Sequence, residues 1–178
     1  RGNLAAEVPA ALLATGLAAA VICPAMPKTG RTVVDGGLLV NGAPVTETDL
    51  GRDPFNPVPS SFIRDLVPGL RCGEVEAAAP GRIQALLDDG CQLIVANART
   101  DDELAVLGRA VRSDSLRRRV LPVGAGGFAE AIVTGAERRA EGSPSGRVLA
   151  VVGSLTGAGA AQVDHALARG LFASIEVD

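Results

Sequence analysis

Residues 18–61 read AAAVICPAMPKTGRTVVDGGLLVNGAPVTETDLGRDPFNPVPSS, and their order decides the fold. The first six, Ala18–Cys23, are uniformly apolar and sit between Gly16 and Pro24, so the run is too short for a helix and suits a strand covered on both faces. The rest is dense in Gly, Pro, Asn and Asp. Asn41-Gly42 between Leu38–Val40 and Val45 is a type I′ hairpin signal, because both residues tolerate positive φ. Arg52-Asp53-Pro54 and Asn56-Pro57 stiffen the exit. A buried strand that runs directly into a long polar loop is how an open α/β sheet builds a binding site at its carboxyl edge.

Outward from this stretch the chain alternates helix and strand. Upstream, Asn3 is placed to cap a helix reaching about Ala14, with Glu7 in its first turns, Gly16 as a stop, and Pro9 set to bend the helix or delay its onset. Downstream, Ser60 or Ser61 caps a short helix over Phe62–Leu66, followed by a strand over Arg71–Ala77, a helix over Pro80–Asp88 and a strand over Gln92–Ala96. Asp101 caps a helix over Asp102–Val111, whose Leu104, Leu107 and Val111 repeat at helical spacing. A strand over Val120–Val123 and a helix over Phe128–Thr134 complete the first part. Residues 135–146, GAERRAEGSPSG, have no apolar period and read as an interdomain linker. Beyond them a strand (Arg147–Val152), a helix (Ala158–Arg169) and a strand (Ser174–Val177) form a βαβ unit. The expected class is α/β, with mostly parallel sheets flanked by helices. The expected division is residues 1–134, linker 135–146, and residues 147–178 as the start of a second domain.

Composition narrows the function. The chain is 47% hydrophobic but only 2% aromatic, so its core must be Ala, Val, Leu and Ile. Net charge is −3 and Lys28 is the sole lysine, which argues against nucleic acid as a partner. No apolar run approaches the ~18 residues of a membrane span, and no signal peptide is visible. Cys23, Cys72 and Cys91 are widely spaced in or beside apolar stretches, the pattern of core thiols in a reducing cytosol, so a cytoplasmic protein is expected. One histidine and scattered cysteines make no transition-metal site.

Four groups of residues invite chemistry. Gly30-Arg31 pairs a backbone that can approach a ligand with a guanidinium fork suited to carboxylate or phosphate. Asp53 before Pro54, and more weakly Asp35, could accept hydrogen bonds from hydroxyls, although Asp-Pro also simply starts turns. Residues 124–129, GAGGFA, satisfy the dinucleotide fingerprint G-x-G-x-x-A between a strand and a helix, but the acid expected at the end of the next strand is missing. Gly153-Ser154 and Thr156, ending the next strand, offer backbone N–H groups and hydroxyls to a nucleotide, and no Walker loop is present. His165 beside Asp164 cannot form a triad, because adjacent helical residues diverge by about 100°.

The pattern G-R-x4-G-x-L-x-V-N-G-x-P-x3-T over residues 30–48, with D-P-x-x-P at 53–57, resembles the four-carbon acid sugar kinase family. Arg1-Gly2-Asn3 is similar to the end of a further motif of that family, and the resemblance covers nearly all of the chain. Family members are about twice as long or more. Neither the aspartate-pair motif that opens them nor their C-terminal glycine-rich loop is present here, which implies an internal fragment, inactive by itself. The resemblance implies an ATP-dependent enzyme, with Mg²⁺, that phosphorylates the terminal hydroxyl of threonate, erythronate or 3-oxo-tetronate. Residues 1–134 would then hold the sugar acid and 147–178 would open the nucleotide domain. Within that scheme Arg1 and Arg31, with Gly30, would contact anionic groups, Asn3 a hydroxyl, and Asp53 the rim of the substrate site. Ser154, with Gly153 and Thr156, would contact ATP. Ala125, Thr156-Gly157 and Gly159 depart from the family pattern, and the catalytic base has no assignment. A non-catalytic ligand-binding remnant and a nicotinamide-dependent oxidoreductase built on Gly124–Ala129 stay open as alternatives, and so does a homo-oligomer.

Overall fold

β1 (Ala19–Cys23) is buried at every position, as its apolar sequence requires. In the computed structural model, which describes residues 3–54, 56–134 and 157–170, this strand is the organising element. It pairs in parallel with β6 (Leu93–Asn97) on one side and β7 (Val120–Gly124) on the other, and β5 (Cys72–Glu76) adds in parallel to β6. The order is β5-β6-β1-β7. β6 is likewise buried throughout, whereas the outer strands β5 and β7 mix buried and exposed positions. Two inner strands, built of Ala, Val, Ile and Leu except for Cys23 and Asn97 at their ends, therefore form the centre. Each fully buried Val, Leu or Ile contributes about 1.5–3 kcal/mol.

Helices cover this sheet. α1 (Leu4–Thr15) buries Val8 and Leu12 and packs on β1, and α2 (Arg82–Asp88) packs on β5 through Leu86. α3 (Asp101–Val111) and α4 (Gly126–Val133) pack against each other. The contact is close because Gly108 has no side chain, and a Cβ there would meet the Ala131 carbonyl carbon at 2.6 Å.

A second sheet grows from the loop after β1. β2 (Arg31–Val34), β3 (Gly37–Val40) and the short β4 (Ala43–Pro44) are antiparallel in the order β2-β3-β4. Two tight turns join them. Asn41 and Gly42 take φ of 50° and 83°, the left-handed pair that Asn-Gly predicts. The β2–β3 turn, Asp35-Gly36 with φ of 48° and 72°, is the same device, and the sequence reading did not place it. Val33 and Ala98 exchange both backbone hydrogen bonds (2.9 and 3.0 Å), fastening this sheet across the end of β6.

Several local expectations are corrected. Asn3 occupies the cap position of α1, but its side chain makes no cap bond; its backbone carbonyl accepts from the N–H groups of Ala6 and Glu7. Pro9 lies inside α1 without delaying its start. α3 is capped by Thr100 rather than Asp101, through a capping box in which Thr100 Oγ1 accepts from Glu103 N–H while the Glu103 carboxylate accepts from Thr100 N–H. The expected helix at Phe62–Leu66 is a 3-10 turn over Ile63–Leu66. There Ser60 Oγ accepts from Phe62 N–H and donates to Asp65. α4 begins at Gly126, two residues before the expected start.

The chain divides into two compact units, Arg1–Glu137 and Arg138–Asp178. The second is described only through α5 (Gly157–Ala168) and the two residues after it. The expected linker at 135–146 and the strands at 147–152 and 174–177 lie outside the described residues. Among the described residues no helix is long and apolar enough to cross a membrane.

Candidate functional site

All four strands of the larger sheet run the same way, so their carboxyl ends share one edge, and a cavity of about 460 Å³ opens there. Ile22 and Pro24 line it from the end of β1, and Val123, Gly124 and Ala125 from the end of β7. Leu4 contributes from α1, and Leu38, Val45 and Ile63 from the smaller sheet and the turns beside it. Among the described lining residues Arg31 alone carries charge.

Local chemistry fixes Arg31. A 3-10 turn at Pro27–Thr29 ends in Gly30 at φ 74°, a left-handed value that reverses the chain into β2. The Asn41 N–H donates to the Gly30 carbonyl at 2.8 Å, and the Asn41 amide lies against the Gly30 Cα so closely that any side chain at 30 would strike it. Arg31 exchanges backbone hydrogen bonds with Met26 (3.3 and 3.0 Å) on one side and pairs with Val40 in the ladder on the other, so its backbone is held on both sides. A guanidinium lining a largely apolar cavity offers a planar fork suited to a carboxylate or phosphate.

Helix α4 starts at the same cavity. Its first-turn amides lie just past Gly124 and Ala125 and carry the positive end of the helix dipole. The glycines of this turn have a packing reason of their own. A Cβ at Gly124 would meet the Cys23 carbonyl at 2.5 Å, and one at Gly127 the Ala25 carbonyl at 2.9 Å. The run that matches a dinucleotide fingerprint thus lets α4 sit tightly against the exit of β1. Nearby, Lys28 Nζ meets Glu130 Oε1 at 3.1 Å, and that carboxylate raises the lysine's pKa. Both side chains are exposed, so this tie is weak.

The remaining sequence-predicted residues divide. Asn3 is exposed and precedes the cavity residue Leu4. Asp53 Oδ1 accepts from Asn56 N–H at 3.1 Å, closing a turn within the loop whose Leu50 and Val58 line the cavity. Asp35 serves the β2–β3 turn. Arg1, Gly153, Ser154 and Thr156 lie outside the described residues. Asp164 and His165 are exposed on α5. The thiol of Cys23, buried at the end of β1, is pushed up to about 11 by desolvation, so it stays protonated and inert near neutral pH. Among the described residues no group of three or more His, Cys, Asp or Glu side chains could hold a metal ion.

The sequence reading missed most of the apolar wall. Leu50 and Val58 are single apolar residues in polar context, Leu4, Leu38 and Leu66 belong to short apolar runs, and no periodic signal joins the five. It also missed Asn97, the one buried polar side chain among the described residues, which extends by one residue a strand expected to stop at Ala96.

Comparison with known proteins follows the same outline. A family model described as the sugar-binding N-terminal domain matches residues 1–132. The D-threonate kinase of Bordetella bronchiseptica is 40% identical over 158 residues, 86% of this chain and 37% of the relative. The D-threonate kinase of Salmonella typhimurium is 35% identical over 187 residues, 100% of this chain and 43% of the relative. Further relatives are named D-erythronate kinase and 3-oxo-tetronate kinase. A Bordetella bronchiseptica protein, crystallised with bound citrate as a domain-swapped dimer, superposes with a TM-score of 0.63 at 38% identity, covering 74% of this chain and 33% of that one. The chain thus spans 37% and 43% of the length of these two threonate kinases.

Proposed function

This chain belongs to the family of the sugar-binding N-terminal domain, and from that premise we propose that it forms the sugar-acid half of an ATP-dependent kinase acting on four-carbon sugar acids. The observation that carries the reading is Arg31, the one charged residue among the described walls of an otherwise apolar cavity at the sheet's carboxyl edge. A carboxylate entering there exchanges water for a bidentate guanidinium and the positive end of α4, in surroundings where such attraction is strong. Residues 1–134 hold the sugar acid. Arg1 assists with its anionic group, Asn3 with a hydroxyl, Gly30 gives the backbone close approach, and Asp53 sits at the rim.

The reaction is attack of the substrate's terminal hydroxyl on the γ-phosphate of ATP. What this half supplies is position: a carboxylate held at one end fixes where the far hydroxyl points. Past the linker at 135–146, residues 147–178 open the nucleotide domain, with Ser154, Gly153 and Thr156 as ATP contacts. ATP and Mg²⁺ enter through the kinase relatives, and the described residues offer no carboxylate cluster suited to the ion. The catalytic base has no assignment among them. A homo-oligomer is in keeping with the swapped dimer of the Bordetella protein, and a cytoplasmic setting with three free thiols.

Calorimetric titration of D-threonate and D-erythronate into the native protein and its Arg31→Ala variant tests the reading. Removing one partner of a desolvated ion pair costs about 2–5 kcal/mol, a loss of roughly 30- to several-thousand-fold in affinity. Arg31→Lys should regain only part, since a point charge lacks the fork. In the full-length enzyme, Ser154→Ala should raise the KM for ATP and leave that for the sugar acid alone. Unchanged sugar-acid affinity in Arg31→Ala sinks the substrate assignment.

A further inference from the structure

Asn97 has no place in the site as described so far, yet it is 4% exposed and both ends of its amide are engaged. Its Oδ1 accepts the buried N–H of Gly36 at 2.9 Å, in the turn between β2 and β3. Its Nδ2 donates to Glu76 Oε1 at 3.0 Å, and the other oxygen of Glu76 accepts from Arg99 at 3.1 Å. The Asn97 backbone carbonyl accepts from Ala77 N–H at 2.8 Å. The last residue of β6 therefore joins three things: Glu76 at the end of β5, Ala77 just after it, and the turn of the smaller sheet.

A buried amide is unfavourable unless fully bonded, and an apolar residue would pack in an inner strand with less risk. What the amide adds is registry. The Gly36 N–H is buried and needs an acceptor, which Asn97 supplies in the observed placement of the hairpin. The Val33–Ala98 backbone pair is the second fixed point, and Arg31 lies two residues from Val33 on the same strand. We infer that Asn97 is a positioning residue for the sugar-acid site: it sets the docking of the β2–β3 hairpin on the parallel sheet and so the place from which Arg31 reaches the cavity. The inference rests on the assignment of Arg31 as the carboxylate contact.

The polarity of the network supplies a test. Asn97→Asp keeps the acceptor for Gly36 but sets a second carboxylate against Glu76, with Glu74 and its partner Arg64 on the other flank of the turn. Adding Glu76→Gln reverses the central bond. The amide now at position 76 would donate to the carboxylate now at position 97 and still present its oxygen to Arg99. The pair again holds one amide and one carboxylate, with its net charge unchanged. In the native protein, Asn97→Asp should weaken sugar-acid binding about tenfold or more and speed deuterium exchange across residues 31–40, as expected for a lost buried hydrogen bond. The KM for ATP should not move. The double variant should return to within about threefold of the parent in affinity, and its exchange should slow again.

Parent-like affinity and exchange in Asn97→Asp overturns the inference. So does a double variant that folds but stays as weak as Asn97→Asp. If Asn97→Asp fails to fold, the double variant decides alone, since rescue requires the reversed bond. Arg31→Ala run in parallel separates the two levels. Intact binding there removes the reading of Arg31, while the exchange across 31–40 still judges the role of Asn97 in docking.

Discussion

The two sheets are held together by different kinds of information. In the parallel sheet, β1 and β6 are buried at all ten positions, nine of them apolar, and what matters is volume and continuity. In the antiparallel sheet only Val33 and Gly37 of its three strands are buried, and what matters is backbone geometry at Gly30, Asp35, Gly36, Asn41 and Gly42, all at positive φ. The first layer stores stability in interchangeable side chains. The second stores placement in residues that few others can replace, and it carries Arg31. Stability and recognition should therefore separate under mutation.

Ile94→Ala should produce the largest loss of stability, about 2–5 kcal/mol for a large-to-small change at a fully buried position. Sugar-acid affinity, measured where the variant is folded, should match the parent; a large affinity loss would erase the contrast between the layers. Next comes Cys23 on β1. Its pKa rises from the usual 9.0 to about 11, so the native state holds that proton more tightly than the unfolded chain. Its contribution is complete below about pH 9 and is lost as pH climbs through 11, about 2–3 kcal/mol in all. Denaturation midpoints across that range should fall less steeply in Cys23→Ala.

Gly30→Ala should cost a smaller amount of stability, about 1–2 kcal/mol, through a positive φ and the clash with Asn41. Its sugar-acid affinity should nonetheless fall by more than its stability, the reverse of Ile94→Ala. A variant that melts early but binds normally would show that the geometry of the Gly30 turn does not govern Arg31. Thr100→Ala should be the mildest, about 1 kcal/mol from the lost capping box on α3, with no effect on binding. Urea midpoints and one titration check it.

The parallel layer was legible because its signals are local. Ala18–Cys23 and Leu93–Ala96, within the expected strand Gln92–Ala96, are apolar runs, and Leu104, Leu107 and Val111 mark α3 by period alone. The errors there are of one or two residues, as at Thr100 against Asp101, where adjacent Thr and Asp side chains compete for the same cap. In the smaller sheet Asn41-Gly42 announces its turn. Asp35-Gly36 is blurred by the following Gly37, which leaves only Val33-Val34 before it as strand signal. Arg31 stands out by residue type next to Gly30. The walls that make it useful do not, because Leu4, Leu50 and Ile63 converge only through tertiary folding. Asn97 is hidden for a similar reason: a polar residue ending a strand looks like the start of a loop until its three partners are in place.

The aliphatic core has a practical consequence for optical measurement. The sequence holds no Trp and no Tyr, and the largest fully buried side chain among the described residues is Phe128. The chain is therefore almost dark in the near ultraviolet, and conventional emission assays would report nothing from it. That darkness is useful. A single indole substituted for Leu38 on the cavity wall would be the only strong emitter in this chain, so quenching or a spectral shift could be read as occupancy at one known point.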